Sequence, residues 1–295
     1  MPDNSPKYSD AVKILLNGLI DYAGLFSPGN LEMSAAVSNY FSCRNDTSAW
    51  MLGRFLLPVS RIDDFENVSS RLLPGENSPP ISLSVTVGDD LLGGLKRVAE
   101  FNNGFFAAGN NVVIDSMEFS ALTGSEILNI NNLLPSHLVA YYDLPPGSRV
   151  EELVDAVALA GGRVKLRVGG SKSGIMNASS DILRYFDLCS RSNIPITIRM
   201  EDSFPRKVAG TGKFLFLNLF LAAAFMRSGI DSAEASQILD EDSPGSFFFD
   251  EQGITWRGFR LDLDRIKPVR ENFIISFGVG SFTSFVSDLE SLHLL

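Results

Sequence analysis

The sequence predicts a single-domain (β/α)8 barrel of the TIM type, spanning residues 1–295. Short runs rich in β-branched and aromatic residues alternate with helix-length amphipathic segments, a pattern typical of parallel strands joined by crossover helices. The 295 residues are 45% hydrophobic, enough to bury one sizeable core. An open doubly wound sheet is the alternative. No glycine-rich dinucleotide fingerprint follows the first strand candidate, so the barrel is favoured.

The strand candidates are eight in number and fairly regularly spaced. They are Leu19–Phe26, Trp50–Pro58, Ile81–Val87, Val112–Phe119, Leu138–Leu144, Val164–Val168, Ile196–Met200 and Ile274–Phe277. Between several of them, apolar residues recur at intervals of three and four, which predicts helices. These helices are Arg61–Leu73, Leu91–Asn103, Val150–Ala160 and Ser179–Ser192.

Two further segments complete the predicted architecture. The longest apolar run, Phe214–Phe225, has twelve residues with Asn218 among them. It is shorter than the roughly 20 residues of a membrane span, so we expect a buried helix. The segment Phe247–Gly258 predicts a small hairpin turning at Glu251–Gly253, inserted before the last strand.

The charge of the chain excludes several partners. It carries 35 acidic and 25 basic side chains, a formal net charge of −10. Binding to nucleic acid or to an anionic membrane needs clustered Lys and Arg, so neither is an expected partner. The N-terminal segment has no basic stretch followed by an apolar one, so we expect a cytoplasmic protein without a secretory signal.

Cysteine and histidine are scarce. Cys43 and Cys189 lie far apart without a partner motif, and we expect reduced core thiols. The two histidines, His137 and His293, are too few for a His-based metal site or a Ser/His/Asp triad. We therefore expect neither metal nor other cofactor, and a carboxylate-only metal site remains an alternative.

The sixth strand candidate carries the sharpest chemical signal. In VKLRVGG, Lys165 and Arg167 alternate with apolar residues, so both charges share one face. The outer face packs against helices, where an unpaired charge is costly, so we expect both side chains inside the barrel. Gly169 and Gly170 follow and would let the backbone approach a ligand.

Other charged residues belong to the same interior by the same reasoning. On strand seven, Arg199 and Glu201 alternate with apolar residues. Barrel active sites lie at the carboxyl ends of the strands. Near that mouth we also place Asp21, Arg54, Glu118 and Asp143. On so acidic a chain, a balanced or mildly basic pocket predicts a small anionic ligand, a phosphate or a carboxylate.

The last strand leads directly into the C-terminal helix through SFGVGSF. Backbone N–H groups of a glycine-rich turn at a helix N-terminus can bind an anion. The residues of this candidate cradle are Ser276, Gly278, Gly280 and Ser281. The alternative is that Gly278 and Gly280 only permit a tight turn between strand and helix.

Lys165 has two interpretations. A lysine inside a barrel, crowded by Arg167 and Arg199, can have a lowered pKa and attack a carbonyl group to form a Schiff base. Alternatively, Lys165 pairs with Glu118, Asp143 or Glu201 and fills the lumen as part of a charge network.

The chain resembles a large bacterial family of uncharacterised proteins. The resemblance covers most of the chain and rests on LIDYAGLFSP, WMLGRFLLP, YYDLP, VKLRVGG, FLNLFLAAA and SFGVGSF, which occur in the family's order. That family's sixth strand is similar to KxRTGG, and its seventh to KATAG followed by His-His-Pro. Both motifs resemble deoxyribose-phosphate aldolase, a class I aldolase whose strand-six lysine forms the Schiff base. The resemblance implies this role for Lys165.

The chain departs from these motifs at several positions. Val168 replaces the expected threonine, and Thr197 replaces the second, pKa-lowering lysine. Ser203 and Phe204 stand where the paired histidines would be, and Gly280 replaces a cysteine. Either Arg167 or Arg199 supplies the second positive charge, or catalysis has been lost.

Two functional hypotheses follow. In the first, an aldolase-like lyase or isomerase uses Lys165 as Schiff-base nucleophile on a small anionic carbonyl compound. Arg167 and Arg199 hold the anion, and Glu118 or Asp143 moves protons. In the second, a non-catalytic barrel binds a small anionic metabolite or a protein partner. A homo-oligomer stays open under both hypotheses.

Overall fold

The computed structural model describes residues 8–69, 80–107, 111–120, 123–169, 175–176, 178–201 and 215–295. Its strands in chain order are β1 Ile20–Tyr22, β2 Leu52–Pro58, β3 Ile81–Thr86, β4 Val112–Ser120, β5 Val139–Asp143, β6 Arg163–Val168, β7 Ile196–Met200, β8 Phe247–Phe249, β9 Gly253–Trp256, β10 Phe259–Asp262 and β11 Ile274–Val279.

Eight of these strands close into a parallel barrel. The order around the barrel is β1-β11-β7-β6-β5-β4-β3-β2, and every neighbouring pair is parallel. The predicted (β/α)8 barrel is therefore confirmed, and an open doubly wound sheet is excluded. Each of the eight predicted strand segments overlaps a barrel strand, and β4, β6 and β11 extend one or two residues beyond the predicted bounds. The first is shorter than predicted because a turn, in which Phe26 N–H donates to Ala23, follows it.

Helices alternate with the barrel strands. They are α1 Asp10–Leu16, α2 Met33–Arg44, α3 Ile62–Ser69, α4 Leu91–Ala107, α5 Gly124–Leu133, α6 Val150–Ala160, α7 Ser179–Arg191, α8 Leu215–Arg227, α9 Ser232–Asp240, α10 Leu263–Asn272 and α11 Phe282–Ser291. The predicted bounds of α6 agree with the structure. The predicted helix Arg61–Leu73 corresponds to α3, and residues 70–73 lie outside the described residues.

The predicted buried helix in the apolar run Phe214–Phe225 corresponds to α8, which is buried along most of its length. Phe214 lies outside the described residues. The amide of Asn218 donates to the carbonyls of Ile238 and Glu241, at 2.7 and 2.8 Å. This polar side chain therefore joins α8 to the C-terminal end of α9. None of the helices in the described ranges has the length and apolar character that crossing a bilayer requires.

The predicted hairpin is present and has a third strand. β8, β9 and β10 form an antiparallel sheet beside the barrel, in the order β10-β9-β8. A Cβ atom at Gly253 would lie 2.1 Å from the Leu261 carbonyl oxygen, so only glycine fits at this strand pairing. Trp256 is buried and donates to Glu241, which attaches the sheet to the segment after α9. Cys43 and Cys189 are free and buried, as expected.

Candidate functional site

Lys165 lies inside the barrel, as the alternation on β6 predicts. Its ammonium group pairs with the carboxylate of Glu118 on β4. Because β5 separates β4 from β6 in the sheet, two such side chains meet only across the lumen. The side chains are 4% and 7% exposed, so this is a buried ion pair.

The second oxygen of Glu118 has its own partner. The Ser84 hydroxyl on β3 donates to Glu118 Oε1 over 3.2 Å, while Lys165 donates to Oε2. Three strands, β3, β4 and β6, thus hold one proton-accepting carboxylate in place. A carboxylate with both oxygens hydrogen-bonded is oriented for proton exchange with the lysine.

A second tier of charges lies above this pair, at the carboxyl ends of the strands. Arg167 Nε is 2.9 Å from Asp143 Oδ2 on β5, and Arg167 Nη1 is 3.9 Å from Glu201 Oε1. Glu201 Oε1 is also 3.6 Å from Arg199 Nε. The carboxylates and guanidiniums therefore alternate from β5 to β7 at the mouth.

Arg199 is, with Arg167, one of two arginines at the mouth whose buried Nε has no hydrogen-bond partner among the described residues. Only 8% of Arg199 is exposed, and its guanidinium carbon lies 4.1 Å from the centre of the Phe26 ring. Burial lowers the pKa of Arg199, with Glu201 and Glu118 partly opposing that shift. A buried donor without an acceptor is costly, so this position favours an added anion.

These groups share one cavity of about 390 Å³ at the mouth. The described lining includes three cations and three carboxylates: Lys165, Arg167, Arg199, Glu118, Asp143 and Glu201. Ligand pockets commonly enclose about 300–1,000 Å³, so this volume suits a small metabolite. The lining is balanced in charge although the whole chain carries −10.

Two carboxyl groups of the lumen have raised pKa values. Burial raises the pKa of Asp143, and Lys165 and Arg167 oppose the shift. Burial also raises the pKa of Asp21, opposed by Arg54 and by hydrogen bonds from Ser276 and the Arg54 backbone. A carboxyl with a raised pKa holds a proton nearer neutrality, which suits an acid catalyst. Asp143 lines the cavity, whereas Asp21 lies below it.

The position opposite Lys165 on β7 is uncharged. Thr197 pairs with Lys165 in strand register, and its hydroxyl lies 2.7 Å from the Ser276 hydroxyl on β11. Both side chains are buried. The departure seen in the sequence, threonine for lysine, is thus accommodated by a hydroxyl pair between neighbouring strands.

The predicted place of Arg54 near the mouth is wrong. Its guanidinium forms two bonds to Asp115, of 2.8 and 3.1 Å, and lines a cavity at the amino end of the barrel. Arg54 is the third residue of β2, and the strand continues to Pro58 before reaching the mouth. Alternation gives the face of a strand but not the depth along it. The backbone N–H of Arg54 donates to Asp21, 2.8 Å away.

The four residues of the predicted anion cradle do not converge on one described cavity. Ser276 is bonded to Thr197, while Gly280 and Ser281 line a separate cavity of about 290 Å³. The Ser281 hydroxyl caps its own helix by accepting from Ser284 N–H. A Cβ at Gly280 would approach Gly29 N to 3.2 Å. The close approach of Gly29, in the segment after β1, accounts for a glycine at position 280, and an anion-binding role stays a prediction.

The other glycines predicted to bind the ligand are Gly278, Gly169 and Gly170. A Cβ at Gly278 would make ordinary contacts with Arg199 and Leu56, each at 3.7 Å. Gly169 has φ +77°, so glycine is required there to end β6. Gly170, Ser203 and Phe204 lie outside the described residues.

Three residues near these sites are not among the predicted ones: Ser84, Asp115 and Arg163. Ser84 orients Glu118, Asp115 neutralises Arg54, and Arg163 donates to the Tyr141 hydroxyl over 2.8 Å. The signal for Ser84 was the alternation in ISLSVT, and Arg163 continues the spacing of Lys165 and Arg167 by two residues. Asp115 had no such signal, because an irregularity in the pairing of β3 with β4 falls beside it.

Comparisons with known proteins add no family assignment. No protein-family model matches the chain, and a search of curated proteins finds no similar sequence. The resemblance to the bacterial family stays a prediction. Among the described residues, no group of three or more His, Cys, Asp or Glu side chains is arranged to hold a metal ion.

Proposed function

We propose that the protein is an aldolase-like lyase or isomerase that forms a Schiff base between Lys165 and a small anionic carbonyl compound. The observation that carries the proposal is the buried Lys165–Glu118 pair, which opens on a mouth cavity that two arginines also line. A lysine held against a carboxylate in a shielded site can be deprotonated without bulk water.

Glu118 acts first in the proposed sequence. Its carboxylate takes one proton from the Lys165 ammonium, and the free amine attacks the carbonyl carbon of the substrate. The carbonyl π electrons move to oxygen, which accepts the proton held by Glu118. Glu118 then takes a proton from the newly bonded nitrogen, and a neutral carbinolamine results. Ser84 keeps Glu118 oriented throughout, since it donates to the other oxygen.

Asp143 supplies the acid for dehydration. Its raised pKa and its position opposite Lys165 in strand register suit it to protonate the departing hydroxyl, which leaves as water. The resulting iminium withdraws electrons from the neighbouring carbon. In a lyase, the Asp143 carboxylate takes the hydroxyl proton of the leaving fragment, the carbon–carbon bond breaks and its electrons form an enamine. In an isomerase, Asp143 takes a proton from that carbon instead, which also gives an enamine. Asp143 returns the proton to the enamine, at a different carbon in the isomerase, and an iminium forms again. Water then hydrolyses the iminium and releases Lys165.

Arg199 and Arg167 hold the anionic group of the substrate. The unpartnered Nε of Arg199 offers a donor at the cavity wall, and Arg167 stands opposite Arg199 in strand register. Paired guanidiniums suit phosphate or carboxylate because they present several donors in a fixed plane. This arrangement supports an anionic substrate, although three carboxylates share the lining.

A second candidate function is a non-catalytic barrel that binds a small anion. The observation that favours it is Thr197, whose hydroxyl is bonded to Ser276 in the position where a second cation would promote amine formation. The same cavity and the same arginines would then serve binding alone.

The test is reductive trapping. The full chain is incubated with phosphorylated aldehydes, ketones and 2-oxo acids and reduced with borohydride. Its intact mass is then measured by mass spectrometry. We expect an adduct with at least one compound, its loss in Lys165→Met, and its retention in Lys96→Met, whose side chain is exposed at 78%. An adduct retained in Lys165→Met would exclude Lys165. Saturable binding without any adduct would support the binding-only barrel.

A further inference from the structure

A second cavity, of about 870 Å³, opens at the amino end of the barrel. Its walls include Trp50 just before β2, Arg163 at the start of β6 and Ile275 at the start of β11. Helices α1 and α10 complete it. Because barrel strands run from this end towards the mouth, the cavity lies on the opposite face from the proposed active site.

The lining of this amino-end cavity is cationic. It includes five basic side chains, Lys13, Arg54, Arg163, Lys267 and Arg270, and one carboxylate, Glu271. On a chain with net charge −10, such a concentration of cations is a local reversal of sign. Arg54 is neutralised by Asp115, and the exposed lysines lie near carboxylates on their own helices.

Two of the cations have no such compensation. Arg163 donates to the Tyr141 hydroxyl, and Arg270 donates to the backbone carbonyls of Leu15, Asn17 and Ile275. In the part of the chain that the structure describes, neither guanidinium is within ion-pair distance of a carboxylate. Burial lowers the pKa of Arg270 to about 10, which leaves it charged at neutral pH. A bound anion would supply the missing counter-charge.

The lining of this cavity also includes aromatic and apolar side chains. Tyr8 and Trp50 lie with ring centres 5.8 Å apart, inclined by 31°, and Ile14 and Ile275 line the same space. Both rings are only partly buried. A flat apolar group can therefore contact them while an attached anion reaches the guanidiniums.

We propose that the amino-end cavity is a binding site for a small phosphorylated compound with an aromatic ring, of the mononucleotide class. Arg163 and Arg270 bind the phosphate, and Trp50 and Tyr8 contact the ring. The proposal is independent of the chemistry at Lys165, since no residue that the structure describes lines both cavities.

Titration calorimetry of the full chain with adenosine monophosphate tests the site, with inorganic phosphate as the ring-free comparison. We expect adenosine monophosphate to bind about tenfold more tightly than phosphate, because only it contacts the aromatic wall. Arg163→Gln should weaken binding by about tenfold, the loss of one charge-assisted contact. Lys96→Gln, which removes an exposed charge elsewhere, should change nothing.

Two further variants locate the ligand. Trp50→Leu should weaken adenosine monophosphate binding about fivefold and leave phosphate binding unchanged, even if Arg163→Gln fails to fold. Arg199→Gln, in the mouth cavity, should leave the affinity for adenosine monophosphate intact, because Arg199 does not line the amino-end cavity. The proposal is overturned if native protein gives no binding heat at millimolar ligand, if neither Arg163→Gln nor Trp50→Leu weakens binding, or if Arg199→Gln abolishes it. None of these outcomes bears on borohydride trapping at Lys165.

Discussion

The two ends of the barrel lumen are built from the same strands, but the cations at the two ends have different bonding partners. At the mouth, the cations Lys165, Arg167 and Arg199 all lie within ion-pair distance of a carboxylate. At the amino end, Arg163 and Arg270 are bonded to a phenol and to backbone carbonyls instead. The paired Lys165 and Glu118 can exchange a proton, whereas cations without a nearby carboxylate attract an anion. Both ends carry cations, so the two candidate sites differ in what those cations are bonded to: carboxylates at the mouth, and a phenol and backbone carbonyls at the amino end.

The largest effect that we expect is a loss of stability when a buried ion pair is broken. The comparison is between the buried Lys165–Glu118 pair near the mouth and the partly exposed Arg54–Asp115 pair at the amino end. Glu118→Leu leaves Lys165 without its counter-charge in the lumen, and we expect a loss of about 3–5 kcal/mol in the free energy of unfolding. Asp115→Leu should cost only about 1 kcal/mol, because Arg54 and Asp115 are 26% and 29% exposed and water partly replaces the partner. Urea denaturation followed by circular dichroism measures both.

The double variant Lys165→Met/Glu118→Leu is the control for this comparison. It removes both charges, so much of the loss seen in Glu118→Leu should be recovered. Equal losses in Glu118→Leu and Asp115→Leu would show that the two pairs do not differ in shielding.

The second effect concerns Asp21, which lies between the two ends. Burial raises its pKa in the folded state, so the folded state binds more protons than the unfolded state above the unfolded value of about 3.9. The contribution of Asp21 to stability therefore falls as pH rises through the window up to the folded pKa. Asp21→Asn keeps an oxygen acceptor for Arg54 N–H and removes this titration.

We expect the unfolding free energy of Asp21→Asn, relative to the native chain, to increase as pH rises from about 4 towards neutrality. Urea titrations at several pH values measure the difference. Asp89→Asn, which changes an exposed aspartate, serves as the matched control. A constant difference across the pH series would show that the carboxyl of Asp21 titrates normally.

The smallest effect separates two glycines of the last barrel strand and its turn. Gly280→Ala should cost about 1 kcal/mol, because the new Cβ would meet the backbone nitrogen of Gly29 at 3.2 Å. Gly278→Ala should cost less than about 0.5 kcal/mol, since its contacts at 3.7 Å are ordinary. Thermal unfolding of the two variants tests the difference. If Gly278→Ala were the more harmful change, the close approach of Gly29 would not be what requires glycine at position 280.

Much of the fold could be predicted because alternation acts locally. The spacing of apolar residues gave eight strands and the face of each charged residue, including Lys165 and Arg167. It could not give depth, so Arg54 was placed at the wrong end. It also could not show that Ser276 and Ser281 lie in different surroundings. The Ser276 hydroxyl is hydrogen-bonded to Thr197, which is distant in sequence and on a neighbouring strand, whereas Ser281 caps its own helix.

The sequence by itself determined the eight barrel strands and their inward faces, since side-chain direction follows from the period of the strand and from the cost of burying charge among helices. Only the tertiary structure decided which charges meet. Glu118 reaches Lys165 across β5, and Arg163 is left with Tyr141, because barrel closure and the stagger between strands set the height of each side chain. Those heights divide one lumen into two chemically different ends.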